Sequence, residues 1–181
     1  MPRISGRGLR AGWRGTITEM AITLDILRAW KDPRGLMRAK LAVGPREDKA
    51  LAVLMGACLL FFVAQWPRLS REAFLHPEVP LDARMGGALM GWVFVAPLFL
   101  YAVAAISHLI AKAFRGKGTW YSARLALFWA MLAVTPLMLL NGLVAGFIGQ
   151  GAPATVVGVL VLLGFLYLWI SMLIEAERGW T

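Results

Sequence analysis

Four long apolar stretches, residues 50–66, 86–111, 125–148 and 154–174, are separated by segments of very different charge and limit what this chain can fold into. A bilayer's hydrocarbon core of about 30 Å takes roughly 20 apolar residues of helix, and runs below about 14 are the usual length of soluble core helices. All four stretches exceed that lower length. With 59% hydrophobic residues, against about 45–50% in soluble domains, little chain is left for a separate soluble domain. In hydrocarbon the backbone must satisfy its own hydrogen bonds, which leaves helices or a closed barrel. Barrel strands alternate polar and apolar residues in segments of about 10, whereas 94–106 and 156–163 are apolar on every face. The expected fold is therefore all-α, an integral membrane bundle of four transmembrane helices at those bounds, with a cytoplasmic amphipathic segment ahead of them.

The four spans are not alike. The first is the shortest and ends in Gln65, Trp66, Pro67 and Arg68; tryptophan favours the headgroup level and proline forfeits a helical hydrogen bond, so this helix is expected to stop there. Pro97 in the second span and Pro136 in the third predict kinks. Two half-helices on either side of Pro136 would each hold only about a dozen residues, too few to cross separately. One kinked helix is the preferred reading of the third stretch and two short ones the alternative.

Basic residues in short connections set orientation. Residues 1–49 carry eleven Lys and Arg; the loop 67–85 carries three, balanced by Glu72, Glu78 and Asp82; the connection 112–124 carries four and no acid. This alternation predicts both termini on the cytoplasmic side of a bacterial inner membrane. A net charge of +9 is also a nucleic-acid signature, but topology and attraction to anionic lipid headgroups account for it more simply, and no nucleic-acid partner is expected.

Ahead of the first span the chain divides in two. Residues 1–19 are rich in Gly, Arg, Ser and Thr without an apolar period and read as a disordered basic extension, with Met20 an alternative initiator that would leave it untranslated. Residues 20–48 differ: Ile22, Ile26, Leu27 and Trp30 recur at helical spacing, Asp32-Pro33 breaks the run, and Leu36, Met37, Lys40 and Leu41 suggest a second short helix. The expectation is a basic amphipathic pair lying on the cytoplasmic leaflet, or a soluble helix packed on the end of the bundle. Residues 49–175 form the bundle and 176–181 a short cytoplasmic tail.

Equipment for catalysis is scarce. The histidines are His76 and His108, Cys58 is the single cysteine, and there is no Gly-rich phosphate loop, HExxH or GxSxG motif. A zinc site takes three or four suitable ligands, so no metal, cofactor or enzymatic activity is expected. Polar residues within spans are costly in lipid. Asn141 and Thr135, near Pro136, are read as structural, answering backbone groups freed by the kink or bonding a neighbouring helix. His108, about one turn from Lys112, is expected to face the headgroups, with a proton relay as the sharper alternative. Glu175 and Glu177 are expected to pair with Lys112, Lys117 or Arg124. Small-xxx-small pairs at Ala52/Gly56, Gly87/Gly91, Ala126/Ala130 and Gly142/Gly146 favour close helix approach, and with it a compact bundle or a homo-oligomer.

The connection Arg115-Gly-Lys-Gly-Thr-Trp-Tyr-Ser-Ala-Arg124, followed by Leu125 to Thr135, Pro136 and Leu137, has a more particular look, as does Asp32-Pro33-Arg34. Together they resemble the bacterial branch of the Yip family of multispanning membrane proteins, over roughly residues 20–175. Asp32 stands where that family usually has Asn, and four spans stand where five are common. The resemblance implies a multispanning membrane protein whose eukaryotic relatives bind Rab-type GTPases in vesicle traffic and whose bacterial relatives generally lack an assigned activity. From the residues themselves, Gly116 and Gly118 permit backbone angles closed to other residues and Trp120 and Tyr121 anchor at the interface. Lys112, Arg115, Lys117 and Arg124 would meet anionic lipids or an acidic membrane-protein partner. The expected function is a scaffold, assembly or membrane-organising factor; the alternative is a small transporter or channel gated at the kinked helices.

Overall fold

A computed structural model describes residues 22–179, which are helical apart from short connections. The extension 1–19, the Met20 start and the last two residues of the tail lie outside the described residues. Four helices are long and apolar enough to cross a membrane: Glu47–Leu75, Leu81–Ala113, Trp120–Phe147 and Ala152–Ala176. We label the described part of the first amphipathic helix α1 (residues 22–31) and the second α2 (Pro33–Leu41), with α3 the first span. The second span comprises α4 (Leu81–Met90), a π-helical turn (Gly91–Val95) and α5 (Ala96–Ala113), and α6 and α7 are the third and fourth.

At Pro33, Pro97 and Pro136 the local structure absorbs the missing donor. Asp32-Pro33 makes the turn between α1 and α2, Pro33 filling the first helical position while the Asp32 side chain accepts from Gly35 N at 2.8 Å. The first span does not stop at Pro67: α3 runs on to Leu75. Beyond the proline, Arg68 holds Glu72 at 3.2 Å across one turn, and Arg84 of α4 holds the same carboxylate at 3.6 Å. These ion pairs support a polar last turn that no longer needs to lie in hydrocarbon. Ahead of Pro97 the helix widens into the π turn, where Ala96 N bonds Gly91 O five residues back. The irregularity at Pro97 is thus a π-bulge, a recognised way of relieving the i−4 clash within a continuous helix. The third stretch is one helix through Pro136. Thr135 Oγ1 donates to Leu132 O at 2.7 Å, and Leu132 is the residue four before Pro136, whose carbonyl the proline leaves without its usual donor.

α6 is the centre of the bundle. Its flanks are taken by α3 and α7, with α5 touching it more lightly. About half of its span (56%) is buried inside the protein, against 11% for the second and fourth spans. Contact with α3 is closest at Gly142 and Gly146: a Cβ on Gly142 would overlap the Ala64 carbonyl, and one on Gly146 would overlap Pro67. Ala126 and Ala130 are fully buried on the same helix. Gly56, Gly87 and Gly91 face open space, so half of those small-residue pairs do not mediate contact within one chain.

The amphipathic pair is a hairpin, and it reaches deeper than a segment lying on the leaflet or on the bundle's end. Ala29, Leu36 and Met37 belong to the central hydrophobic cluster. Trp30, at its turn, donates from Nε1 to Ala133 O of α6 at 2.9 Å, and a Cβ on Gly164 of α7 would lie 2.7 Å from the same indole. At a rise of about 1.5 Å per residue, Ala133 and Gly164 lie roughly 20 Å along their helices from the end where α6 begins and α7 finishes. An amphipathic sequence covers apolar surface wherever it finds it, and the groove between α6 and α7 offers a longer strip than the end face does.

Candidate functional site at the basic end

Helices α3 and α6 begin, and α5 and α7 finish, at one end of the bundle, where most of the basic side chains among the described residues collect. The connection from α5 to α6 starts with a Schellman turn. Gly116 N bonds Ala111 O at 2.9 Å and Arg115 N bonds Lys112 O at 3.0 Å, the paired bonds of that motif. The left-handed position, where glycine is usual, is held by Arg115 at φ 65°. Gly116 and Gly118 do not supply left-handed angles here; they supply clearance. A Cβ on either would come within 2.7 Å of a Glu177 carboxylate oxygen, and one on Gly118 within 2.6 Å of Ala176 O. Thr119 then caps α6 in a box with Ser122, whose N donates to Thr119 Oγ1 at 3.2 Å while Thr119 N donates to Ser122 Oγ at 2.9 Å.

Glu177 organises this connection. Its carboxylate lies 2.8 Å from His108 Nδ1 and accepts from Gly118 N at 3.1 Å, and its carbonyl accepts from Lys117 N at 2.8 Å. His108 is buried, with the Trp120 ring 4.6 Å from its own. The expectation that His108 faces the headgroups is therefore corrected: one turn before the helix ends it points inward, because the acid that caps α7 gives its ring nitrogen a partner away from lipid. Glu175 is fully buried between Arg38 Nε at 3.5 Å and Arg178 Nη1 at 3.2 Å. The two terminal acids are thus matched by His108, Arg38 and Arg178, rather than by Lys112, Lys117 or Arg124. Arg124 is held by Glu47 at 2.6 Å and lies 5.6 Å from the Tyr101 ring centre.

The structure divides the sequence-selected residues into two groups. Lys112, Arg115 and Lys117 are exposed, and among the described residues none is in an ion pair. Trp120, Tyr121 and Arg124 are engaged with the bundle: Trp120 rests half-exposed on His108, and Tyr121 packs partly buried against the core. Comparison with protein-family models, curated proteins and solved structures found no match. What the site can do must be argued from its own geometry, and that geometry offers three free cations on a rigid, well-bonded turn.

Within the apolar helices, Trp169 Nε1 is buried without a hydrogen-bond partner, and Asn141 of α6 is a second such side chain. Its Oδ1 is buried and has no hydrogen-bond partner, facing Gly158 of α7. It stands between two clefts of about 390 Å³ each. One is an apolar slot floored by α6 between α5 and α7, with Phe61 and Trp92 at its side; the other is more polar and contains Gln65, Arg68 and Gln150. Sequence reasoning overlooked the Glu177 clasp and the Trp30 anchor. Gly164, one of two glycines in the most apolar span with Gly158, was the available signal for the latter, since a glycine inside a helix can have a packing reason.

Proposed function

We propose that this protein is a non-enzymatic scaffold or organising factor of the Yip-like class in a bacterial inner membrane, with both termini cytoplasmic, which meets an acidic partner or anionic headgroups through its basic end. The observation that supports this reading is the division of charge there. His108, Arg38, Arg178 and Arg124 are matched by Glu177, Glu175 and Glu47 in the fold, whereas Lys112, Arg115 and Lys117 sit exposed on a turn pinned by backbone hydrogen bonds. Cations held rigidly and left without acids cost less ordering entropy on binding than the same cations on a mobile loop.

The test is simultaneous Lys112→Glu, Arg115→Glu and Lys117→Glu substitution, followed by crosslinking and purification from membranes. Loss of the crosslinked partner or of lipid crosslinked at this turn, with insertion and melting temperature unchanged, is the expected result; unchanged recovery overturns the reading. A transport reading is favoured by one observation, the unpaired Asn141 amide oxygen between an apolar and a polar cleft. It requires substrate flux in liposomes that is lost on Asn141→Leu.

A further inference from the structure

We propose that a cleft between the hairpin, the α2–α3 connection and the first turns of α6 holds one anionic phospholipid from the surrounding bilayer. The cleft measures about 440 Å³ and is distinct from the turn at residues 112–118. At its rim stand Arg46 and Lys49, both exposed and, among the described residues, outside every ion pair. Lys40 also lines it, but its ammonium is bound by Asp25 and lies 4.4 Å from the centre of the Trp129 ring. That pair is internally compensated, so the uncompensated positive charge belongs to Arg46 and Lys49.

Further along α3 and α6 the walls become apolar, formed by Ala52, Val53, Leu125 and Trp129. Residues 46 and 49 lie at the beginning of α3, where charge gives way to the hydrophobic span. Cations at headgroup depth followed by an apolar wall match the order of groups in a phospholipid, phosphate first and acyl chain after. A soluble anion would leave the apolar wall wetted, whereas a lipid seats its headgroup and the start of its chains here and leaves the rest in the bilayer. A zwitterionic lipid would bring its own ammonium toward Arg46 and Lys49, so the charge favours a headgroup with net negative charge. Ala52 is on the exposed face of α3, so a lipid reaches the cleft laterally without leaving the bilayer.

The experiment is native mass spectrometry of the full chain in mild detergent, titrated with phosphatidylglycerol or with phosphatidylcholine. The unaltered protein is expected to hold one phosphatidylglycerol at least tenfold more tightly than any phosphatidylcholine. Arg46→Gln with Lys49→Gln should remove that preference by lowering phosphatidylglycerol affinity at least tenfold. Ala52→Phe, which fills the cleft and leaves every charge in place, should lower it similarly, while Lys112→Gln with Lys117→Gln should leave it unchanged. Full retention in Ala52→Phe, or equal loss in the Lys112/Lys117 variant, would overturn the proposal, since either means diffuse charge rather than a fitted site. As a safeguard against misfolding, brominated phosphatidylglycerol should quench less fluorescence in Trp129→Phe than in the unaltered chain; equal quenching also overturns it.

Discussion

At the scale of single residues the bundle is governed by where a side chain is not tolerated. Gly142 is the sharpest case, because the atom that a Cβ would meet is the Ala64 backbone carbonyl and not a movable side chain. Gly142→Ala should lower stability by about 1–3 kcal/mol, the usual cost of forcing extra volume into a close contact, read from the midpoint of unfolding in mixed detergent. Gly56→Ala, with nothing near it, should be neutral or slightly stabilising. Arg115 presents the opposite situation, a side chain at a backbone angle that favours glycine. Arg115→Gly should stabilise the turn by up to about 1 kcal/mol, visible as slower amide exchange at Gly116 and Gly118; faster exchange there would mean that the arginine side chain holds the turn. Sequence alone places glycines at 116 and 118 and suggests free backbone angles. It cannot show that their role is clearance for Glu177, which arrives from a helix about sixty residues away.

Among the elements, the proline-bearing helices show which readings carry over and which depend on neighbours. Length and apolarity were enough to identify four helices and to favour one helix through Pro136, because hydrophobic thickness is a property of the chain alone. The end of α3 was not legible in the same way, since beyond Pro67 its polar side chains meet partners, Arg84 among them, that lie outside the helix itself. Depth of the hairpin was likewise hidden: α1 and α2 look amphipathic in isolation, and only the α6–α7 groove decides where their apolar face goes. Trp30 is the checkable anchor. Trp30→Phe removes the indole donor to Ala133 O and keeps most of the aromatic volume, so it should cost about 1 kcal/mol. It should also increase proteolysis of the 22–41 segment, while leaving the four spans protected. An unchanged digestion pattern would mean that the apolar contacts of Ala29, Leu36 and Met37 seat the hairpin by themselves.

For the whole molecule, the described ends of the chain meet at one end of the bundle, as four crossings require. Reporter fusions after residues 75 and 151 should read outside, and those after 117 and 181 inside. A cytoplasmic reading at 151 would demand a fifth crossing and contradict the single helix Trp120–Phe147. The second span is held mainly along one side and is only 11% buried. Its broad apolar face is therefore solvated by lipid in the isolated chain, and substitutions there should be much milder than those on α6.

The Trp30 contact also sets an order of assembly. The hairpin is made before any of the four spans, yet the groove that receives it lies between α6 and α7, which follow the other two in chain order. During translation, which adds about 5–20 residues per second, the earliest amphipathic segment must wait several seconds for the latest helix, so a chain truncated before α7 would leave its own beginning unseated and exposed to proteases.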